Sequence, residues 1–115
     1  MGQNIVSHKD DWFKFKNPYM GDREVISFLQ RRIIVASICY YQFDISPVTD
    51  FTYEKISRQL IRCMKQADEE DIKKSDYYYV FKDYDGSTGF DLYYRLNESD
   101  TEYLKRIAWN VKGGN

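Results

Sequence analysis

The chain has 115 residues, 43 % of them hydrophobic and 17 % aromatic, enough for one buried core and too little for a second domain. Its 17 basic and 18 acidic residues leave a net charge of -1, which argues against the broad basic surface that nucleic-acid binding normally needs. With two cysteines, Cys39 and Cys63, each in an apolar stretch, and one histidine, His8, a zinc cluster or a Cys/His nucleophile pair lacks its parts.

Residues 1–20 read as an arm whose Trp12, Phe13, Phe15 and Tyr19 pack onto the body, with Phe13 and Phe15 on one side of an extended segment. Asp22 is placed to cap a helix, with Glu24 in its first turn where the helix dipole favours a negative charge. The helix itself is predicted from Val25 to about Gln42. Its inward stripe is Val25, Phe28, Leu29, the Arg32 stem, Ala36, Cys39, Tyr40 and Phe43. The β-branched run "RRIIVAS" also suits a strand, and the length of the pattern decides for a helix.

"FDISPVTD" then breaks the pattern, because Pro47 restricts its neighbours and Thr49 or Asp50 makes a good N-cap. A second helix is predicted from about Asp50 to Gln66, burying Tyr53, Ile56, Leu60, Cys63, Met64 and Ala67. Residues 67–76, "ADEEDIKKSD", read as a charged linker, and "DYYYVF" has the aromatic and β-branched character of a short strand. Ser99 with Glu102 reads as a capping box opening a last helix through Trp109. The expectation is one mainly α domain. Two long antiparallel helices occupy 22–66, and a C-terminal unit at 77–111 joins a short strand or hairpin to a helix.

The longest apolar run, "IIVASICYY", is too short to cross a bilayer, and "MGQNIVSHKDDW" has no signal-peptide core. A cytoplasmic protein with reduced thiols and no membrane contact is expected.

The segment "FKDYDGSTGF" invites a catalytic reading, since nucleotidyltransferases present their reactive lysine in Lys-x-Asp-Gly. Here Lys82 and Asp85 are three residues apart, so in an extended chain their side chains face opposite ways, and Lys82 reads as a surface lysine. Asp85-Gly86 suits a tight turn. Ser87 or Thr88 could cap a short helix, with Asp91 completing Thr-x-x-Asp, and the Walker lysine is absent. No triad, carboxylate pair or metal set is left to carry a reaction, and the expectation is a protein that is not an enzyme.

One stretch is more specific. "YYQFDISPVTDFTYEKISRQL", following a long apolar helix, resembles the small N-terminal helical domain of bacterial NAD-dependent DNA ligases. That family shows a Tyr-Tyr or Tyr-His pair, Asp and Pro in the turn, and Asp-x-x-Tyr-Asp opening the next helix. The matching positions are Tyr40, Tyr41, Asp44, Pro47, Asp50, Tyr53 and Glu54, without a gap, within residues 22–66. Glu54 departs from the family's Asp by one methylene. The whole chain is also similar to small phage and prophage proteins described as ligase-related, which share the Asp-Gly-Ser-Thr-Gly segment at 85–89.

In the ligases this domain recognises the nicotinamide mononucleotide (NMN) half of NAD. The resemblance therefore implies a nucleotide site at Tyr40, Tyr41, Asp50, Tyr53 and Glu54. Asp50, Tyr53 and Glu54 share one face of a helix's first turn, and Tyr41 can offer a flat face to a nicotinamide ring. The structural alternatives are capping for Asp50 and interhelical packing for Tyr40 and Tyr53.

The leading functional expectation is a non-catalytic, phage-type accessory protein that binds and modulates a host or phage protein through the ligase-like surface. No cofactor is required by this reading. Tyr78, Tyr84, Tyr94, Arg58 and Arg62 are the candidate interaction surface, since tyrosine buries much area while losing little rotamer freedom. The first alternative is a stand-alone NMN- or NAD-binding module. The second is a single-strand nucleic-acid binder using stacked tyrosines with Arg31, Arg32, Arg58 and Arg62.

Overall fold

The computed structural model describes residues 21–86 and 92–113 of the chain. The N-terminal arm and the "GSTG" cradle with its Ser87 or Thr88 cap lie outside those residues. Five α-helices are present among them: α1 (Asp22–Gln42), α2 (Asp50–Gln66), α3 (Glu69–Lys73), α4 (Tyr78–Phe81) and α5 (Glu98–Lys112), with a 3-10 turn at Tyr93–Arg95. The fold is mainly α, as the periodicity predicts.

Helix α1 is the axis of the molecule. Both α2 and α5 pack along it, and α3 and the 3-10 turn also rest on it. This explains the ambiguous run "RRIIVAS". Ile33, Ile34 and Val35 are consecutive and all buried, because α1 has neighbours on several sides and needs apolar groups beyond a single stripe. Tyr40, expected on the inward stripe, is instead 53 % exposed. The α1 cap also differs from expectation. Asp22 is already helical, and the Gly21 N–H donates to Glu24 Oε1 at 2.9 Å. Hydrogen bonds to the Glu24 carboxylate, first from its own backbone and then from Arg23 and Gly21, hold its pKa below the ordinary value.

Helix α2 has the predicted bounds, and Thr49 rather than Asp50 caps it, its Oγ1 accepting from the Thr52 N–H at 3.1 Å. Ile56, Leu60 and Cys63 are buried, with Tyr53, Met64 and Ala67 half-buried around them. Both cysteines are buried thiols, and burial pushes the Cys39 thiol pKa up. The expected linker 67–76 contains the short helix α3, supported by exposed ion pairs from Glu69 to Lys73 and from Glu70 to Lys74.

The expected strand at "DYYYVF" is a helical turn, and no strand occurs among the described residues. The reason is local. Tyr77, Val80 and Phe81, spaced i, i+3, i+4, are the buried residues, which only a helical conformation puts on one side. The backbone amides ahead of them go to α1 instead of to a sheet partner. Ser27 Oγ accepts from Asp76 N–H at 2.8 Å, and Gln30 Oε1 accepts from Tyr77 N–H at 3.1 Å.

The last helix starts differently as well. Asn97, not Ser99, caps α5, its Oδ1 accepting from the Asp100 N–H at 2.7 Å. The Tyr79 hydroxyl donates to Asp100 Oδ2 at 2.5 Å and accepts from the Asn97 N–H, tying α4 to this cap. Leu104 and Ala108 anchor α5 in the core, and Trp109 meets Phe43 edge-on with ring centroids 5.6 Å apart.

Candidate functional site

The chain leaves α1 through a tight turn. Asp44 takes a left-handed conformation, φ 59°, and the Ile45 N–H returns to the Cys39 carbonyl at 3.0 Å. The loop 43–49 thus brings the end of α1 beside the start of α2, and a pocket of about 530 Å³ opens between them. That volume lies in the range of small-ligand sites. Ala36, Ser37, Tyr40 and Tyr41 line it from α1, and Ser46, Pro47 and Val48 from the loop. Helix α2 contributes Asp50, Tyr53, Glu54, Ser57, Arg58 and Ile61, a continuous i, i+3, i+4 stripe. Asp85 and Gly86, after α4, close the far side.

All five nucleotide-site residues proposed from the sequence, Tyr40, Tyr41, Asp50, Tyr53 and Glu54, line this one pocket. Tyr40 and Tyr41 form the mouth, their rings edge-to-face at 4.7 Å, and Tyr41 is 42 % exposed. Asp50 is exposed, and because Thr49 performs the capping, its carboxylate is not spent on the helix end. Glu54 pairs with Arg58 at 3.6 Å on the exposed rim. Tyr53 runs into the wall, where burial raises its pKa. Its hydroxyl lies close enough to Ser37 and Tyr84 for both to ease its ionisation, yet completes a well-aligned hydrogen bond with neither. Ser37 Oγ, on a residue only 3 % exposed, is likewise without a hydrogen-bond partner.

Sequence reasoning missed Ser37, Ser57 and the Asp85-Gly86 wall. Ser57 was legible, four residues beyond Tyr53 on the same helix face. It shares a 2.7 Å hydrogen bond with the Tyr84 hydroxyl, which burial holds well above the ordinary tyrosine pKa. Gly86 has φ +86°, a conformation that favours glycine, and a Cβ there would stand 2.6 Å from Ile61 Cδ1, the tip of a side chain that would have to shift.

The candidate interaction residues differ in exposure. Tyr78 and Tyr84 are half-buried, whereas Tyr94 is 67 % exposed and Arg58 and Arg62 are exposed on α2. Arg31 and Arg32 sit over the Phe28 ring on α1, at 5.8 and 5.9 Å. Lys82 is exposed after α4. Among the described residues no His, Cys, Asp or Glu cluster suits a metal ion, and no helix is long and apolar enough to cross a membrane.

A comparison with protein-family models, with curated proteins and with solved structures finds no match to the chain. The resemblance to the ligase domain therefore rests on the matched residues themselves.

Proposed function

We propose that this chain is a non-catalytic accessory protein that works by binding, and that the pocket between α1 and α2 is its working surface. The ligand that suits it is a nicotinamide nucleotide, NMN or the nicotinamide half of NAD. One observation carries the reading: five residues matched one by one to the ligase pattern line the same cavity, with Asp50 relieved of capping by Thr49. The pocket's chemistry supports it as well. Tyr40 and Tyr41 offer aromatic faces to a pyridinium ring, and the carboxylates accept hydrogen bonds from ribose hydroxyls. Among the described residues that line the pocket there is no lysine, histidine or cysteine, in keeping with binding rather than turnover.

Calorimetric titration with NMN and NAD tests this. Binding is expected to weaken at least about tenfold in Asp50→Ala, the loss of a charge-assisted hydrogen bond. Absence of heat at millimolar ligand would retire the nucleotide reading.

A second reading, regulation of a protein partner, is favoured by the large exposed side chains away from the pocket, Tyr94, Tyr103, Trp109 and Val111. A partner held by Tyr94 or Tyr103 would be lost on substitution of either to Ala without change in ligand binding.

A further inference from the structure

The α2 wall of the pocket carries its charges in a fixed order, and within the nucleotide reading above, on which this inference rests, that order sets how the ligand lies. Asp50, Glu54 and Arg58 line the pocket at i, i+4 and i+8, two acids followed by a base. Four residues of α-helix advance about 6 Å, so the three groups form a single row, one turn apart, with their Cα atoms spanning about 12 Å. The exposed rings of Tyr40 and Tyr41 stand at the Asp50 end of this row, because α1 finishes where α2 begins.

Arg58 is held loosely. Its guanidinium leans back one turn, as side chains on a helix do, and meets the Glu54 carboxylate at 3.6 Å with both side chains more than half exposed. An exposed i, i+4 pair of this kind is weak, so a stronger anion displaces Glu54 at little cost. A phosphate is such an anion, since it brings more charge than a carboxylate and accepts two parallel N–H bonds from a guanidinium. Glu54, once released, is placed to accept from ribose hydroxyls. Asp85, on the far wall, has an interaction of its own within the protein.

We propose that Arg58 is the phosphate-binding residue of this pocket, exchanging Glu54 for the 5′-phosphate of the ligand, and that the pocket therefore selects the phosphorylated pyridinium nucleotide over the free riboside. The cationic ring lies at Tyr40, Tyr41 and Asp50, the ribose at Glu54 and the phosphate at Arg58, so the ligand's groups run in the same order as the charges on α2.

Calorimetric titration of the full chain with NMN and with nicotinamide riboside, at low and moderate salt, tests this. NMN is expected to bind about tenfold more tightly, the worth of one charge-assisted contact, and the gap should narrow as salt screens it. Arg58→Ala should remove the preference by weakening NMN alone, and Arg58→Lys, which keeps the charge without the fork, should restore part of it. Glu54→Gln ends the competition for Arg58 and should widen the preference about twofold, a change that a merely structural arginine would not produce. Riboside binding as tight as NMN, or Arg58→Ala weakening both ligands equally, would overturn the role of Arg58 and leave the nucleotide reading standing. If neither ligand binds at millimolar concentration, the nucleotide reading falls and the role of Arg58 with it.

Discussion

Two buried polar regions on α1, roughly two to three helical turns apart, are built in opposite ways. Near its start, Ser27 and Gln30 are fully engaged: Ser27 with the Asp76 amide, Gln30 with the Tyr77 amide and, through Nε2, with Ser75 Oγ at 3.1 Å. Near its end, the Ser37 hydroxyl is buried behind the pocket wall close to the Tyr53 hydroxyl, and neither completes a well-aligned hydrogen bond. Leaving a polar group buried and unpaired costs about 1–3 kcal/mol, so folding alone favours the first arrangement. The contrast marks the first region as a well-bonded junction between α1 and α4 and the second as a looser cluster of buried hydroxyls.

Gln30→Leu would break the junction most severely. It strands the Tyr77 amide in the core and removes the donor to Ser75 Oγ, which keeps its own bond to the Ile72 carbonyl, and chemical denaturation should show a loss of about 2–3 kcal/mol. The same junction has a pH signature. Burial, ahead of the nearby Asp100 charge, pushes the Tyr77 pKa up to about 12, from an ordinary value near 10. A raised folded-state pKa gives stability that is whole below the unfolded value and is lost as pH rises through the folded one. Stability should therefore fall by roughly 2 kcal/mol between about pH 10 and 12, and Tyr77→Phe should remove that part of the slope in denaturation curves.

On the pocket side, Gly86→Ala should cost about 1–2 kcal/mol, from the positive φ and from the clash with Ile61, and it should weaken ligand binding by disturbing the wall. The smallest effect sharpens the contrast most. Ser37→Ala should change stability by no more than about 0.5 kcal/mol, since no well-aligned hydrogen bond is lost, as chemical denaturation would show. A loss above about 1 kcal/mol would mean that the hydroxyl is well bonded after all.

Much of this arrangement was legible beforehand, though unevenly. The bounds of α2 followed from Pro47, Thr49 and an apolar stripe of period 3.6, all local signals. The short helix α4 did not follow. Three tyrosines and a valine favour a strand by propensity, and the decision came from the side chains of Ser27 and Gln30, nearly fifty residues away. The α5 cap was misplaced for a similar reason: Asn97 is one of several capping residues in "NESD", and Tyr79 reaches it only through the fold.

By itself, the sequence determined that two long helices joined by a Pro-containing turn set Asp50, Tyr53 and Glu54 on one helix face. Spacing along a helix is a property of the chain and needs no neighbour. Only the tertiary structure decided that this face borders a cavity, that Asp85 and Gly86 close it, and that the Ser37 hydroxyl is buried behind its wall. Those facts depend on which distant segment packs where, and a packed core settles that by filling space and satisfying hydrogen bonds across the whole chain.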